Sequence, residues 1–448
     1  MSVSSAKSEK ISYANGRETA RRIFLEILRA IDVAQAMRRK LRREGDRLIA
    51  GDVSISLARP PRVIAIGKAA QRMAVTLEAM LGGGIERGVI VAPSVPAKKP
   101  ERFEVFAGGH PYPSEVSLAG AEAALKLVSG LAPDDAVIFL LSGGGSALFE
   151  KPLDPAIGLA DLIEFNRILV TCGMPIEEMN VLRKHLSAVK GGRLALAAWP
   201  ARQMTIYISD VPDDFASMVA SGPTMPDESS LEDCYRLVES RGISGRLPAT
   251  IRRLFESKSL EETPKPNDSR FDRSVYFRLL SNRDAVEGAR VAAERSGFIA
   301  AEAAGEQDLD FRAAARLHAA QLDDLVGAHP GKPVALIAGG EVISKVTGKG
   351  MGGRNQAYVL SAAQLIEGRE RVVMSAATDG RDGNSPSSGA VADGQTMARA
   401  RTHHLDPERA LAESDSYYFF RTLGDTLDTG FIDNNVRDVR VWLAFGSK

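Results

Sequence analysis

The chain has 448 residues, 44% of them hydrophobic and 25% charged, with 57 Lys plus Arg against 57 Asp plus Glu. That length exceeds one comfortable core, so two domains are expected, and the balanced charge gives no electrostatic case for nucleic acid or an anionic membrane as main partner. The two cysteines, Cys172 and Cys234, stand in no metal-ligand spacing and suit a reducing cytoplasm better than a disulfide framework.

In chain order, "MSVSSAKSEKISYANG" lacks the apolar core of a signal peptide. The amphipathic stretch after it, "RETARRIFLEILRAIDVAQAMRRKL", is arginine-rich, but Glu18, Glu26 and Asp32 argue for a docked helix and against an organelle presequence. "RVIAIGKAAQRMAVTLEAM" reads as a strand over 63–66, then Gly67, then a helix. "GGHPYP" sets His110 in a proline-stiffened turn. "DAVIFLLSGGGSALF" is a second strand-loop-helix; its apolar run is far short of the roughly 20 residues a membrane helix needs. "QMTIYISDVP" is a strand ending at Asp210, and the polar stretch from Arg241 to Ser274, with Pro264 and Pro266, reads as a surface linker. "SVYFRLLSNRDAVEGARVAAERSG" turns at Ser281 and Asn282; "KPVALIAGGE", "EVISKV" and "RVVMSAATDGRDG" supply later strands, and "QAYVLSAAQLIEG" a helix. Strand and helix signals alternating in this way imply an α/β fold with a parallel sheet and helices on both faces. The unalternated strands fit a sheet covered on both sides. Ligands of such sheets bind beyond the carboxyl ends of the strands, and with two domains the active site is expected in the inter-domain cleft.

Several loops at those ends can carry chemistry. Ser142, Gly143, Gly144, Gly145 and Ser146 form a glycine-rich turn that can present amides to an anion, or simply connect strand to helix. "VTGKGMGGRNQ" contains a formal G-x-G-x-x-G at Gly348, Gly350 and Gly353, with Gly352, Lys349 and Arg354 beside it. A lone match to the dinucleotide fingerprint is weak, and two cations beside exposed amides suit a phosphoryl group in transfer, while a glycine hinge is the duller alternative. Lys68, at a strand tip, can reach a phosphate or lie in solvent. In "NVLRKHLSAVKGGRLA", Arg183 and Lys190 share a face if the stretch is helical, His185 falls on an apolar stripe as a core histidine would, and the cations can equally form a solvated face. Asp210 can bind Mg²⁺ or take a proton from an attacking hydroxyl; Asp379 and Asp382 can hold a metal or close a turn.

Together these segments resemble the class II glycerate kinases, the glycerate 2-kinase family with a MOFRL C-terminal domain. The resemblance spans Arg17 to Leu443 and rests on "IGKAA", "GGHPYPSEVSLAGA", "LLSGGGSAL", "NVLRKHLSAVKGGRLA", "ISDVP", "VASGPTMPD", "LSNRDAV", "GKGMGGRNQ" and "ATDGRDG", in that order. It implies a larger Rossmann-like N-terminal domain, residues 1–255, and a smaller α/β C-terminal domain, residues 275–448. It implies ATP- and Mg²⁺-dependent phosphorylation of glycerate at its 2-hydroxyl, with Lys68 and Arg354 as catalytic cations and Asp210 assisting. On this reading the candidates for nucleotide phosphates are Ser142 through Ser146, Lys190, Asn282, Gly350, Gly352 and Gly353; for the acceptor, Lys184 and His110; for the metal, Asp210 and Asp379. A homodimer is compatible with it. Rival readings are a hydroxypyruvate reductase, a kinase of a related hydroxy acid and a non-catalytic nucleotide sensor. The sequence departs from the family pattern at "DDFA" (213–216), "NSPSS" (384–388) and "FIDN" (431–434).

Overall fold

The computed structural model describes residues 13–96, 100–211, 213–305 and 309–446, and no side chains at 13, 14 or 213–215, so three of the four side chains of the departure at 213–216 lie outside the description. The chain forms two compact units. One holds 33–281 with 433–435; the other holds the N-terminal segment up to 32, 282–432 and the rest from 436.

The first unit is built on a six-stranded, wholly parallel sheet. Its strands are β1 (Arg62–Ile66), β2 (Gly88–Ala92), β3 (Phe103–Ala107), β4 (Ala136–Leu141), β5 (Arg202–Ile208) and β6 (Ser274–Leu280), in the order β3-β2-β1-β4-β5-β6. The apolar runs are needed in full because both parities are buried. Ile64, Ile66, Phe139 and Leu141 pack under Ala121 and Ala124 of α3 (Glu115–Leu127), while Val63, Ala65, Ile138 and Leu140 are equally buried. α2 (Ala70–Met80) follows β1 and buries Met73 and Leu77. This is the doubly wound order in which the chain leaves β1 in one direction and returns to β4 in the other, opening a crevice between their carboxyl ends.

A satellite core joins α4 (Leu159–Thr171) and α5 (Ile176–Leu186) through Leu162, Phe165 and Leu182, and it takes in Ile251 and Phe255. The stretch expected as a linker therefore holds a helix, Ala249–Glu256, with two buried apolar residues one turn apart.

The second unit carries a mixed sheet of β7 (Ile299–Glu302), β8 (Val334–Gly340), β9 (Arg371–Ala377), β10 (Gly389–Asp393), β11 (Thr426–Leu427) and β12 (Asp438–Ala444), in the order β7-β8-β12-β9-β10-β11. Only β7 and β8 are parallel, because β12 inserts antiparallel between β8 and β9. "EVISKV" is not a strand: residues 341–346 are irregular apart from one bridge at Ile343, so the glycine-rich loop does not directly follow a strand. The helix after it is present, as α8 (Arg354–Leu365), with α6 (Asn282–Arg295) and α7 (Phe311–Ala328) before it. α1 (Tyr13–Ala30) belongs to this second unit, whereas a division at 255 and 275 would leave it with the first. Its Arg17 pairs with the buried Asp393 and, at 3.4 Å, with Asp425, and its Ile23 and Ile27 are fully buried. Among the described residues no helix is long and apolar enough to cross a membrane.

Candidate active site

The register places three functional groups side by side. Ile66 of β1 is level with Leu141 of β4, and Leu141 with Tyr207 of β5. Just beyond these tips stand Lys68, the Gly143–Gly144 turn and Asp210. Gly67 sits at φ +114°, where a Cβ would strike the Ser142 carbonyl; glycine is required there on both counts. The Lys68 N–H donates to the Gly143 carbonyl at 2.9 Å, which fixes the base of the lysine stem. Gly144, at φ 80°, turns the chain into a single helical turn, Gly145–Leu148, whose first amides, Gly145 and Ser146, lie outside its own hydrogen bonding. A Cβ on Gly143 would collide with the Asp210 carboxylate, and one on Gly144 would lie 3.2 Å from Lys68 Cγ and 3.6 Å from His110 Cδ2. The glycines are thus what lets Lys68, Asp210 and His110 approach one turn of backbone.

His110 is oriented by its own loop: Ser117 Oγ accepts from the N–H of Gly109 at 2.9 Å and of Ser114 at 3.1 Å. Its side chain still reaches solvent, yet desolvation first, and the Lys68 charge second, lower its pKa below the ordinary 6.5.

Beside this turn lies a cavity of about 330 Å³, lined by His110, Gly144, Ser146 and Asp210 and also by Asn166, Asn180, Arg183, Val170, Ile176 and Met218. One wall is strained. Ala220 and Ser221 adopt φ 53° and 60°, followed by Gly222 at 61°, a left-handed run that non-glycine residues avoid. It is held by the amides of Gly191 and Gly192, which donate to the carbonyls of Ser221 (3.1 Å) and Gly222 (2.7 Å). The strain points Ser221 Oγ at Asn180 Oδ1, 2.9 Å away, and Ser146 Oγ lies 2.8 Å from Ser221 Oγ. Because the Ser221 hydroxyl donates to Asn180, Ser146 is the donor of the second bond.

Other expected contacts are otherwise engaged. Ser142 is buried and its hydroxyl clasps two loops, accepting from the Ala69 N–H at 3.0 Å, so it braces the turn and does not line it. α5 stops at Leu186, so Lys190 does not share its face; Lys190 is fully buried and ion-paired with Glu150. Lys184 is also buried, 2.9 Å from Asp227 Oδ1. Burial alone would raise the Asp227 carboxyl, but Lys184 and the hydroxyls of Ser229 and Thr263 outweigh it and hold the pKa low. His185 faces the Val181 carbonyl and Glu262, each through one ring nitrogen, a satisfied core histidine. Asn282 opens α6, and its Nδ2 donates to the carbonyls of Val436 (2.7 Å) and Asp438 (2.9 Å).

The Gly348–Gly353 loop likewise spends its amides internally. Gly350 N–H donates to the Glu413 carbonyl (2.9 Å), Met351 to Asp415 Oδ1 (2.9 Å) and Gly352 to Asn384 Oδ1 (2.8 Å). Side chains at 348, 350, 352 or 353 would strike residues 413–416 or Asp382. Close packing, not an open phosphate cradle, demands these glycines. Arg354 is gripped by Asp438 (Nε–Oδ2 2.5 Å, Nη2–Oδ1 3.0 Å) and by Glu341 at 2.7 Å. Burial pulls its pKa down, and these carboxylates more than reverse that. Asp379 Oδ1 closes a local turn onto the Arg381 N–H at 3.1 Å. Among the described residues no three His, Cys, Asp or Glu form a metal cluster.

Asp382, fully enclosed, caps α8: Oδ1 accepts from the Asn355 N–H (3.0 Å) and Oδ2 from the Gln356 N–H (2.8 Å). Burial, with Asp438 adding, pushes its carboxyl up to about 7 against the pull of those amides. Between the ordinary 3.8 and about 7 the folded protein keeps a proton that the unfolded chain has lost. This contribution to stability is therefore complete below 3.8 and is lost as pH rises through about 7, on the order of a few kcal/mol. Urea midpoints measured from pH 5 to 8 should fall with rising pH, and Asp382→Asn should flatten that slope.

The sheet order defines a Rossmann-like α/β protein, and the lysine-glycine-aspartate cluster at its crossover is the candidate site at the strand tips. Residues 19–256 match the family described as "Domain of unknown function (DUF4147)", and residues 334–438 the MOFRL family. The chain is 38% identical over 386 residues to a D-glycerate 2-kinase of Thermotoga maritima, covering 85% of this chain and 90% of that one. It is 33% identical to a glycerate 2-kinase of Pyrococcus horikoshii over 94% of this chain and 96% of that one. A crystal structure of glycerate kinase from Thermotoga maritima superposes with a TM-score of 0.82 at 34% identity, over 96% of this chain and 99% of that one. The chain belongs to the glycerate 2-kinase family.

Proposed function

We propose that this protein transfers the terminal phosphoryl group of ATP to the 2-hydroxyl of D-glycerate, giving 2-phosphoglycerate and ADP. The observation behind it is the convergence of Lys68, Gly143–Gly144 and Asp210 at adjoining strand tips on the crossover of a doubly wound sheet. The bond from the bridging oxygen to the γ-phosphorus breaks as the bond from the glycerate oxygen forms. Charge spreads over the phosphoryl oxygens, and positioned cations and amides stabilise it. Lys68 and the amides of Gly145 and Ser146 serve that charge. Asp210 orients the hydroxyl and takes its proton. Alternatively Asp210 would hold Mg²⁺, supplying a single carboxylate, and the ion would neutralise phosphate charge. Arg354, the second cation of the family pattern, is locked by two carboxylates through Nε and Nη2. The two cysteines are free thiols, which suits a cytoplasmic enzyme.

Two Agrobacterium vitis relatives, at 35% and 34% identity, carry a provisional hydroxypyruvate reductase name. The feature that would favour a dinucleotide is the Gly348–Gly353 spacing, and that loop is packed against 413–416 with its amides engaged. The kinase reading is tested by incubating the purified protein with D-glycerate and ATP·Mg²⁺ and, separately, with hydroxypyruvate and NADH. It requires ADP release in the first mixture; NADH oxidation in the second without ADP release in the first would replace it.

A further inference from the structure

Among the described residues Arg183 is the one Lys or Arg lining the cavity beside the Lys68 turn, and none of them forms an ion pair with it. Glu150, the carboxylate whose charge Arg183 feels, is consumed by Lys190, with Ser187 Oγ donating to its other oxygen at 2.6 Å. Arg183 keeps a single hydrogen bond, from Nε to Asn166 Oδ1 at 2.9 Å, and its Nη groups have no partner among the described residues. Asn166 is itself fixed, its Nδ2 donating to the Leu162 carbonyl at 2.9 Å, so the amide can offer Arg183 only its oxygen. Desolvation lowers the pKa of the guanidinium despite the distant pull of Glu150. A half-buried cation without a paired carboxylate is costly unless a ligand supplies the anion.

We infer that Arg183 is the specificity residue that binds the carboxylate of the acceptor. This rests on the proposed phosphorylation of a hydroxy acid and deepens it: Arg183 is what makes the acceptor an acid and not a neutral polyol. The planar fork of a guanidinium, with Nε already committed, presents its Nη donors to a carboxylate in a fixed plane. Asn180 and Ser146, linked through Ser221 and lining the same cavity, serve the hydroxyl side, and Asp210, beside the Lys68 turn, lines it too. Removing such an anchor leaves the substrate carboxylate desolvated and unpaired.

The test compares D-glycerate with D-glyceramide, its neutral isostere, in the wild type, Arg183→Met and Arg183→Lys, with D-glycerate binding to each followed by calorimetry. Arg183→Met should lower kcat/KM for glycerate by about 100-fold or more, chiefly through KM. It should leave glyceramide turnover and the KM for ATP within a few-fold, and weaken glycerate binding in the calorimeter by a similar factor. Arg183→Lys should recover part of the loss. Equal losses with both acceptors would overturn the assignment, as would an unchanged KM for glycerate, and so would absent glycerate binding by the wild type. A wild type that binds glycerate through Arg183 yet releases no ADP would instead remove the kinase reading and keep the anchor.

Discussion

Lys68→Ala should lower kcat by about 10²- to 10³-fold, some 3–4 kcal/mol of barrier, with little change in the KM for glycerate. The size follows from where the charge sits. Lys68 is half-buried at the crossover of the sheet, its backbone pinned to Gly143, its stem against Gly144, and its charge already felt by His110. A cation fixed in advance needs no reorganisation when charge develops on the transferred group, and partial desolvation strengthens its effect. Lys68→Arg should recover little, because a broad guanidinium does not fit where a compact ammonium passes Gly144. The fold should survive, since the residue follows a strand and its side chain is only half-buried. Single-turnover measurements separate chemistry from release. A variant with wild-type kcat and an intact melting curve would remove Lys68 from the mechanism.

Lys190→Met should cost stability rather than activity, by about 3–5 kcal/mol, because it strands Glu150 as an uncompensated buried charge. The ammonium is fully buried, pairs with Glu150 and donates to the Phe149 carbonyl at 3.1 Å. The double variant Lys190→Met/Glu150→Leu should be more stable than the single, since it removes the whole pair from the interior. Urea titration of the three proteins gives the comparison, and kcat for Lys190→Met below its melting range should stay within a few-fold of wild type. A stable Lys190→Met enzyme with a large rise in the KM for ATP would put Lys190 back against phosphate.

These two lysines show what was legible in the sequence and what was not. Runs such as "VIAI" and "AVIFLL" announce parallel strands buried on both faces, and their glycine-bearing ends announce the loops of a site; Lys68, Gly144 and Asp210 follow from strand-end position alone. Strand order does not, because β1 meets β4 through a crossover that no local pattern encodes. The burial of Lys190 is not legible because its partner, Glu150, lies 40 residues away, and because α5 ends four residues before it. The Gly348–Gly353 loop looked like an anion cradle because sequence shows bare amides, not the carbonyls and carboxylates of 384 and 413–415 that fold onto them. Asn166 and Asn180 are buried polar residues that no motif in the sequence marks. Asparagine on the buried face of a helix was the available signal, and it needed the neighbouring Arg183 to acquire meaning. Arg183 itself stood in a basic cluster from which only packing could single it out, by pairing Lys184 with Asp227 and Lys190 with Glu150.

The most direct measurement is the position of the new phosphate. With ¹³C-labelled D-glycerate and ATP·Mg²⁺, the purified protein should give a product whose phosphorus couples to carbon 2 as a directly bonded ester, with ADP formed in equal amount. A phosphate on carbon 3, or ATP consumed without any phosphorylated acid, would contradict the account.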